Sequence, residues 1–183
     1  MIRERAPPKP FYSAGILPYS VDSGGNVVFL LGQDVNGDWS DFGGRSELRD
    51  NGSCQQTASR EFYEETLGSV KSMEDMKRNI TAHKNRDEVH LVTSKTLGGA
   101  TYYMFLVKIQ YIDYKRFFWK TYQYLKSCNH RYIEKRDIRW ISKDTLLSCI
   151  LEPETRDSLI NLRPIFRQTC KHHYKEINAH TSA

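Results

Sequence analysis

The sequence predicts layers of helix around one sheet, an α/β or α+β fold. Three observations carry this expectation. Val27–Leu31, VVFLL, is a continuous apolar run of the kind found in strands buried on both faces. Ser53-x-x-Gln56 has the form of a capping box, in which two side chains satisfy free backbone N–H groups at a helix start. Strand-like and helix-like segments alternate irregularly along the rest of the chain.

Residues 1–10 contain Pro7, Pro8 and Pro10 and are expected to form a flexible arm. FYSAGILPYS reads as the first strand, interrupted at Pro18, and VDSGG as a turn. After VVFLL, the polar QDVNGD is a loop marked by Asn-Gly. Trp39 and Phe42 then lead into Gly43-Gly44. The helix opened at Ser53 runs to about Leu67, with Gly68 placed to cap it and Ala58, Phe62 and Cys54 as its apolar stripe. VKSMEDMKRNITAHKNRD is a short helix and a loop. EVHLVTSK and ATYYMFLVKIQY are strands joined by a turn at Leu97-Gly98-Gly99. Phe117, Phe118, Tyr122 and Leu125 suit a helix with an aromatic face near 113–127. Ile138–Ile141 is a short strand, and Ser142 caps the helix KDTLLSCI. A last helix is expected over Pro153–Ile177, with Leu159, Leu162, Phe166 and Cys170 on one side and a kink at Pro164. Residues 11–183 are expected to form one domain.

The 183 residues carry 39% hydrophobic and 27% charged side chains, as a globular domain does. No apolar run approaches the roughly 20 residues that span a bilayer, and no secretory h-region follows the N-terminus. The four cysteines form no Cys-x-x-Cys pair and read as reduced thiols. The chain is therefore expected in the cytoplasm, without a membrane. Its net charge of +5 is uneven: residues 111–183 hold 14 Lys/Arg against 8 Asp/Glu. That surplus fits RNA or a polyphosphate, and equally an ordinary solvated surface.

SREFYEETLG, Ser59–Gly68, raises the functional question. Glu61, Glu64 and Glu65 stand at i, i+3 and i+4, so a helix places them on one face, where they repel by a few tenths of a kcal/mol per pair. They also fall in the last turn, where the helix dipole opposes anions. On repulsion alone, Glu64→Gln should leave the metal-free protein no less stable. A divalent cation reverses both effects, because Mg²⁺ takes carboxylate oxygens and bridges to phosphates. A solvated acidic face also accommodates three glutamates. Gly43-Gly44 shifts the balance, since glycines let a backbone approach an ion or a phosphate.

Together these residues resemble the Nudix hydrolases, whose signature is G-x5-E-x7-R-E-U-x-E-E-x-G-U with U a bulky apolar residue. Gly44 matches the first glycine, Arg60–Glu65 matches R-E-U-x-E-E, and Gly68 and Val70 lie near its end. Ile138–Ile141 and the following KDTLL are similar to the family's final strand and helix, so the resemblance covers roughly residues 11–150. The departures are a stretch from Gly44 to Arg60 two residues longer than the pattern, Asp50 where a glutamate is expected, and one extra residue before Gly68. The chain is also loosely similar to Nudix proteins of large DNA viruses.

The resemblance implies an α/β/α sandwich around a mixed sheet and a pyrophosphohydrolase using Mg²⁺ or Mn²⁺. It implies Glu61, Glu64, Glu65 and the Gly44 carbonyl at the metal, with Arg60 orienting carboxylates. Gly43 and Arg45 are expected at the substrate. Glu61 is a candidate general base, as is a later carboxylate: Glu134, Asp137 or Glu88. The substrate is expected to be a nucleotide-type diphosphate. Capped RNA, reached through the basic 111–183 region, is an alternative. A non-catalytic ligand-binding module is another, disfavoured because such a module has no need of three clustered glutamates. His90, alternating with apolar residues, reads as structural.

Overall fold

The structure, a computed structural model, describes residues 11–82, 88–96, 98–130, 133–152 and 160–181. The expected arm at 1–10 and the expected helix start at 153–159 lie outside the described residues.

Strands β1 (Tyr12–Val21), β2 (Val27–Asp34), β3 (Trp39–Ser40), β4 (Phe42–Arg45), β5 (Val89–Lys95), β6 (Thr101–Lys108) and β7 (Lys135–Ser142) form one mixed sheet. Its path runs β3-β2-β1-β6-β5, with β4 on β1 and β7 on β2. The β1–β6 pair is parallel and the other strand pairs are antiparallel. Pro18 does not interrupt β1. On the edge away from β6, β4 pairs with Ser13–Ile16 and β2 with Tyr19–Val21, so Pro18 falls between the two ladders.

Helices α1 (Cys54–Glu65), α2 (Met73–Thr81) and α3 (Tyr114–Ser127) share a core with one face of the sheet, while α4 (Lys143–Leu151), α5 (Pro164–His172) and α6 (Tyr174–His180) share a core with the other. The period-2 geometry of a strand makes this possible. Ile16, Leu30 and Phe105 point to the first core, and Leu17, Leu31 and Leu106 to the second. This is why VVFLL shows no alternation: both its faces are covered. The α/β/α sandwich follows.

The single kinked C-terminal helix is corrected. Leu162 forms a parallel bridge with Trp39, and Pro164 is the first residue of α5. Proline suits that position because a missing N–H costs nothing there. His173 then separates α5 from α6.

Candidate active site

Ser53 Oγ accepts from the Gln56 N–H at 3.2 Å and opens α1. The reciprocal half of the box is not made, because the Gln56 amide donates to Met73 Sδ instead. Ala58 and Phe62 bury the apolar stripe, and Phe62 meets Phe42 edge to face. The helix ends at Glu65, two residues sooner than expected, and the Gly68 N–H donates back to the Tyr63 carbonyl at 2.8 Å. Leu67 and Gly68 both have positive φ, 54° and 65°, so the extra residue is taken up by a left-handed step after the helix.

Arg60 is the hub of the site. Its Nε and Nη2 donate to the two oxygens of Asp50, each at 2.9 Å. Nη1 donates to Glu61 at 2.8 Å and Glu64 at 3.0 Å, and Nη2 also reaches the Arg45 carbonyl at 2.9 Å. The inserted loop thus returns Asp50 to the arginine. Burial alone would raise the Asp50 carboxyl. Arg60, the Glu47 N–H and the Thr57 hydroxyl outweigh burial and hold it below its ordinary range.

Glu61 and Glu65 behave differently. Burial pushes Glu61 up to about 7 despite Arg60 beside it. Burial pushes Glu65 up to about 8, with Asp41, Glu61 and Glu134 adding repulsion that Lys135 only partly offsets. Glu65 accepts the Gly43 N–H at 2.7 Å, and Lys135 Nζ stands 3.4 Å away. The Glu61 carboxylate lies against Gly44 so closely that a Cβ there would sit 2.5 Å from it. A side chain at 44 would therefore push the Glu61 carboxylate out of this position.

These groups fit a hard divalent cation. Two buried carboxylates offer oxygen donors of the type Mg²⁺ and Mn²⁺ take, to which the resemblance would add the Gly44 carbonyl. Both acids are raised chiefly by burial, and a bound cation would favour the ionised forms that burial disfavours. Among the described residues no three His, Cys, Asp or Glu side chains converge into a ready-made cage. Glu64 turns to Arg49, at 2.9 Å, and to Arg60 instead.

The later carboxylates separate. Glu134 is exposed, within electrostatic reach of both Glu61 and Glu65. Asp137 is committed elsewhere: it takes Lys115 at 2.7 Å and the Trp119 indole at 3.2 Å, tying α3 to β7. Glu88 precedes β5 beside Lys108, five residues along β6 from the level of Gly44. His90 packs against α6 through Glu176 at 3.3 Å.

Lys135 and Asp41 were not anticipated. Lys135 is wholly buried, donating to Asp34 at 2.6 Å and Ser40 at 2.7 Å. It opens β7 beside Arg136 and Asp137, so a further charge there gives no sequence signal. Asp41 accepts from the buried Tyr102 hydroxyl, and burial pushes it up to about 6. Gly43, Gly44 and Arg45, with Asp41, Tyr102 and Arg163, line a cleft of about 650 Å³.

The NUDIX domain of NrtR from Shewanella oneidensis, in a complex with ADP ribose, is similar with a TM-score of 0.53 and 13% identity over 95% of this chain and 94% of that one. A NUDIX hydrolase from Alicyclobacillus acidocaldarius is similar with a TM-score of 0.51 and 12% identity over 97% and 94%. The chain has the Nudix fold. No protein-family model and no curated protein matches its sequence. Within this Nudix fold, the R-E-x-x-E-E stretch lies on α1 and faces the glycine strand β4. No helix among the described residues is long and apolar enough to cross a membrane.

Proposed function

We propose that the chain is a metal-dependent Nudix pyrophosphohydrolase that cleaves the diphosphate linkage of a nucleoside diphosphate derivative. One observation carries the reading: Glu61 and Glu65 are buried against Gly44 and Gly43, two residues that also line the cleft. Glu61, Glu65 and the Gly44 carbonyl would hold the cation, with Glu64 able to join by releasing Arg49. Bound Mg²⁺ or Mn²⁺ supplies positive charge to the phosphoryl oxygens.

The chain's own residues do the rest. Arg60 fixes Glu61 from one side, and Asp50 fixes Arg60. The exposed Arg45 stands beside Gly44 at the cleft, in place to meet a phosphate. Glu61 and Glu134 are the candidate bases for the water that attacks phosphorus. The cleft volume suits a nucleotide. The ADP ribose held by the S. oneidensis domain supports a ligand of that class.

A panel of nucleoside triphosphates, nucleotide sugars, dinucleoside polyphosphates, inositol pyrophosphates and capped RNA tests the reading. Hydrolysis of one class with Mg²⁺ or Mn²⁺, abolished by a chelator, is expected. Full activity in the chelator would remove the metal from the account. No hydrolysis of any of them would favour a ligand-binding module.

Capped RNA has one observation in its favour. The outer face of α3 exposes Phe117 (53%) and Tyr124 (68%) among Arg116 and Lys120, the aromatic and basic mixture on which single strands stack. Lys115 does not belong to that face, being paired with Asp137. Neutralising Arg116 and Lys120 should weaken capped-RNA binding and flatten its salt dependence. A nucleoside triphosphate's turnover should be unchanged.

A further inference from the structure

Glu64 is shared by two arginines that differ in freedom. Arg60, with 5% of its side chain exposed, is held by Asp50, Glu61 and the Arg45 carbonyl as well. The Arg49 side chain is 60% exposed, and it pairs with Glu47 at 2.7 Å and Glu64 at 2.9 Å, both half-exposed carboxylates. Exposed pairs of this kind are weak. Arg49 can therefore leave Glu64, whereas Arg60 cannot move without abandoning Asp50. The backbone of Arg49 is fixed all the same. It lies in the short turn Leu48–Asp50, which Asp50 ties to Arg60 and to the Glu47 N–H. A guanidinium that leaves Glu64 thus stays within a side chain's length of it.

Arg49, Arg60, Tyr63, Glu64 and Met73 line a second cavity, of about 570 Å³. Arg45 and Gly44 line the first cleft. The hydrogen bond from Arg60 to the Arg45 carbonyl joins the two walls, with Glu61 against Gly44 and Glu64 against Arg49. One exposed arginine from each cavity therefore borders the same row of carboxylates.

Both oxygens of Glu64 are engaged, Oε1 by Arg49 and Oε2 by Arg60. A dication on Glu64 repels the guanidinium bound to it, and an exposed pair has little to set against that repulsion. The freed guanidinium finds its match in a phosphate, because its planar fork pairs bidentately with such an anion.

We propose that Arg49 is a substrate-binding residue that exchanges partners: it releases Glu64 to the divalent cation and takes phosphate oxygens of the diphosphate in return. The assignment rests on the metal-dependent reading above, but not on turnover.

Two equilibrium titrations of the full chain test it: Mn²⁺ alone, and methylenediphosphonate, an uncleavable diphosphate, in saturating Mn²⁺. Arg49→Gln should bind Mn²⁺ several-fold tighter, because Glu64 is then free to ligate. The same variant should bind methylenediphosphonate on the order of tenfold more weakly. These opposite signs separate an exchange from damage to the fold, which would weaken both. In a Glu64→Gln background the gain for Mn²⁺ should vanish. Arg49→Lys, with the charge but no fork, should recover only part of the methylenediphosphonate affinity. A gain for Mn²⁺ that persists in Glu64→Gln would be long-range charge and overturn the proposal. Undiminished methylenediphosphonate binding by Arg49→Gln would make Arg49 an ordinary surface pair and overturn it as well. Opposite shifts in a chain that hydrolyses no diphosphate would leave the exchange standing and the pyrophosphohydrolase reading wrong. No Mn²⁺ binding by the parent would overturn both.

Discussion

Asp50 and Glu61 both touch Arg60 and both are buried, yet they titrate in opposite directions. Asp50 takes two guanidinium hydrogen bonds, a backbone N–H and a hydroxyl, and falls below its ordinary range. Glu61 takes one guanidinium hydrogen bond, lies against a bare glycine, and rises to about 7. At Asp50 the hydrogen bonds outweigh the loss of solvent, and at Glu61 the loss of solvent outweighs Arg60. The Asp50 side of Arg60 is a finished clamp. The Glu61 side, with Glu65 behind it, is a pair of desolvated carboxyls whose ionised forms a cation would stabilise.

The largest effect is expected from breaking the clamp. Arg60→Ala leaves Asp50, 1% exposed, as an uncompensated buried charge. A loss of about 3–5 kcal/mol in stability should appear in denaturant unfolding, with or without Mg²⁺. A loss under 1 kcal/mol would mean that Asp50 is held by Glu47 and Thr57 alone.

Glu61→Gln should separate the two sides. The clamp survives and unfolding should change little, while hydrolysis with Mg²⁺ falls on the order of 10²–10³-fold. Loss of fold and activity together would make Glu61 part of the clamp.

The third expectation is a pH dependence. Glu61 and Glu65 rise from an ordinary 4.5 to about 7 and about 8 on folding. Folding thus takes up protons across that interval, and the metal-free protein is most stable at its lower end. Stability should be lost as pH rises through 7 and 8, by on the order of 2 kcal/mol. Asp50 acts with the opposite sign, stabilising above its ordinary range and failing only in acid. Melting temperatures of the metal-free protein at pH 5.5 and 8 check this. A rise toward pH 8 would contradict the upward shifts of the two glutamates.

The smallest effect belongs to Glu64. Repulsion among the three glutamates predicted that Glu64→Gln would be no less stable, but Arg49 and Arg60 both pair with this half-exposed carboxylate. The substitution should instead cost about 0.2–1 kcal/mol. A gain in stability would restore repulsion as the stronger effect.

What the sequence revealed of this site was local. The i, i+3, i+4 glutamates, the apolar stripe of Ala58 and Phe62, and the Ser53 cap all lie on α1 and obey one helical period. The sandwich was legible because strands covered on both faces lose alternation, as Val27–Leu31 does. Lys135 and Asp41 were hidden because their partners are far along the chain: Lys135 meets Glu65, and Asp41 meets Tyr102. No periodicity marks such pairs. Pro164 was misread for a different reason. A proline forbids a helix interior but suits a first turn, and only the Leu162 bridge to Trp39 shows which applies.

The most direct measurement is calorimetric titration of Mn²⁺ into the metal-free protein at pH 7, in two buffers of different ionisation enthalpy. Glu61 and Glu65 are partly protonated at that pH, so binding should release protons. The apparent heat should therefore differ between the buffers, and Glu65→Gln should weaken binding and reduce the release. Binding with no proton release and no response to Glu65→Gln would place the cation elsewhere and contradict the account, as would no binding.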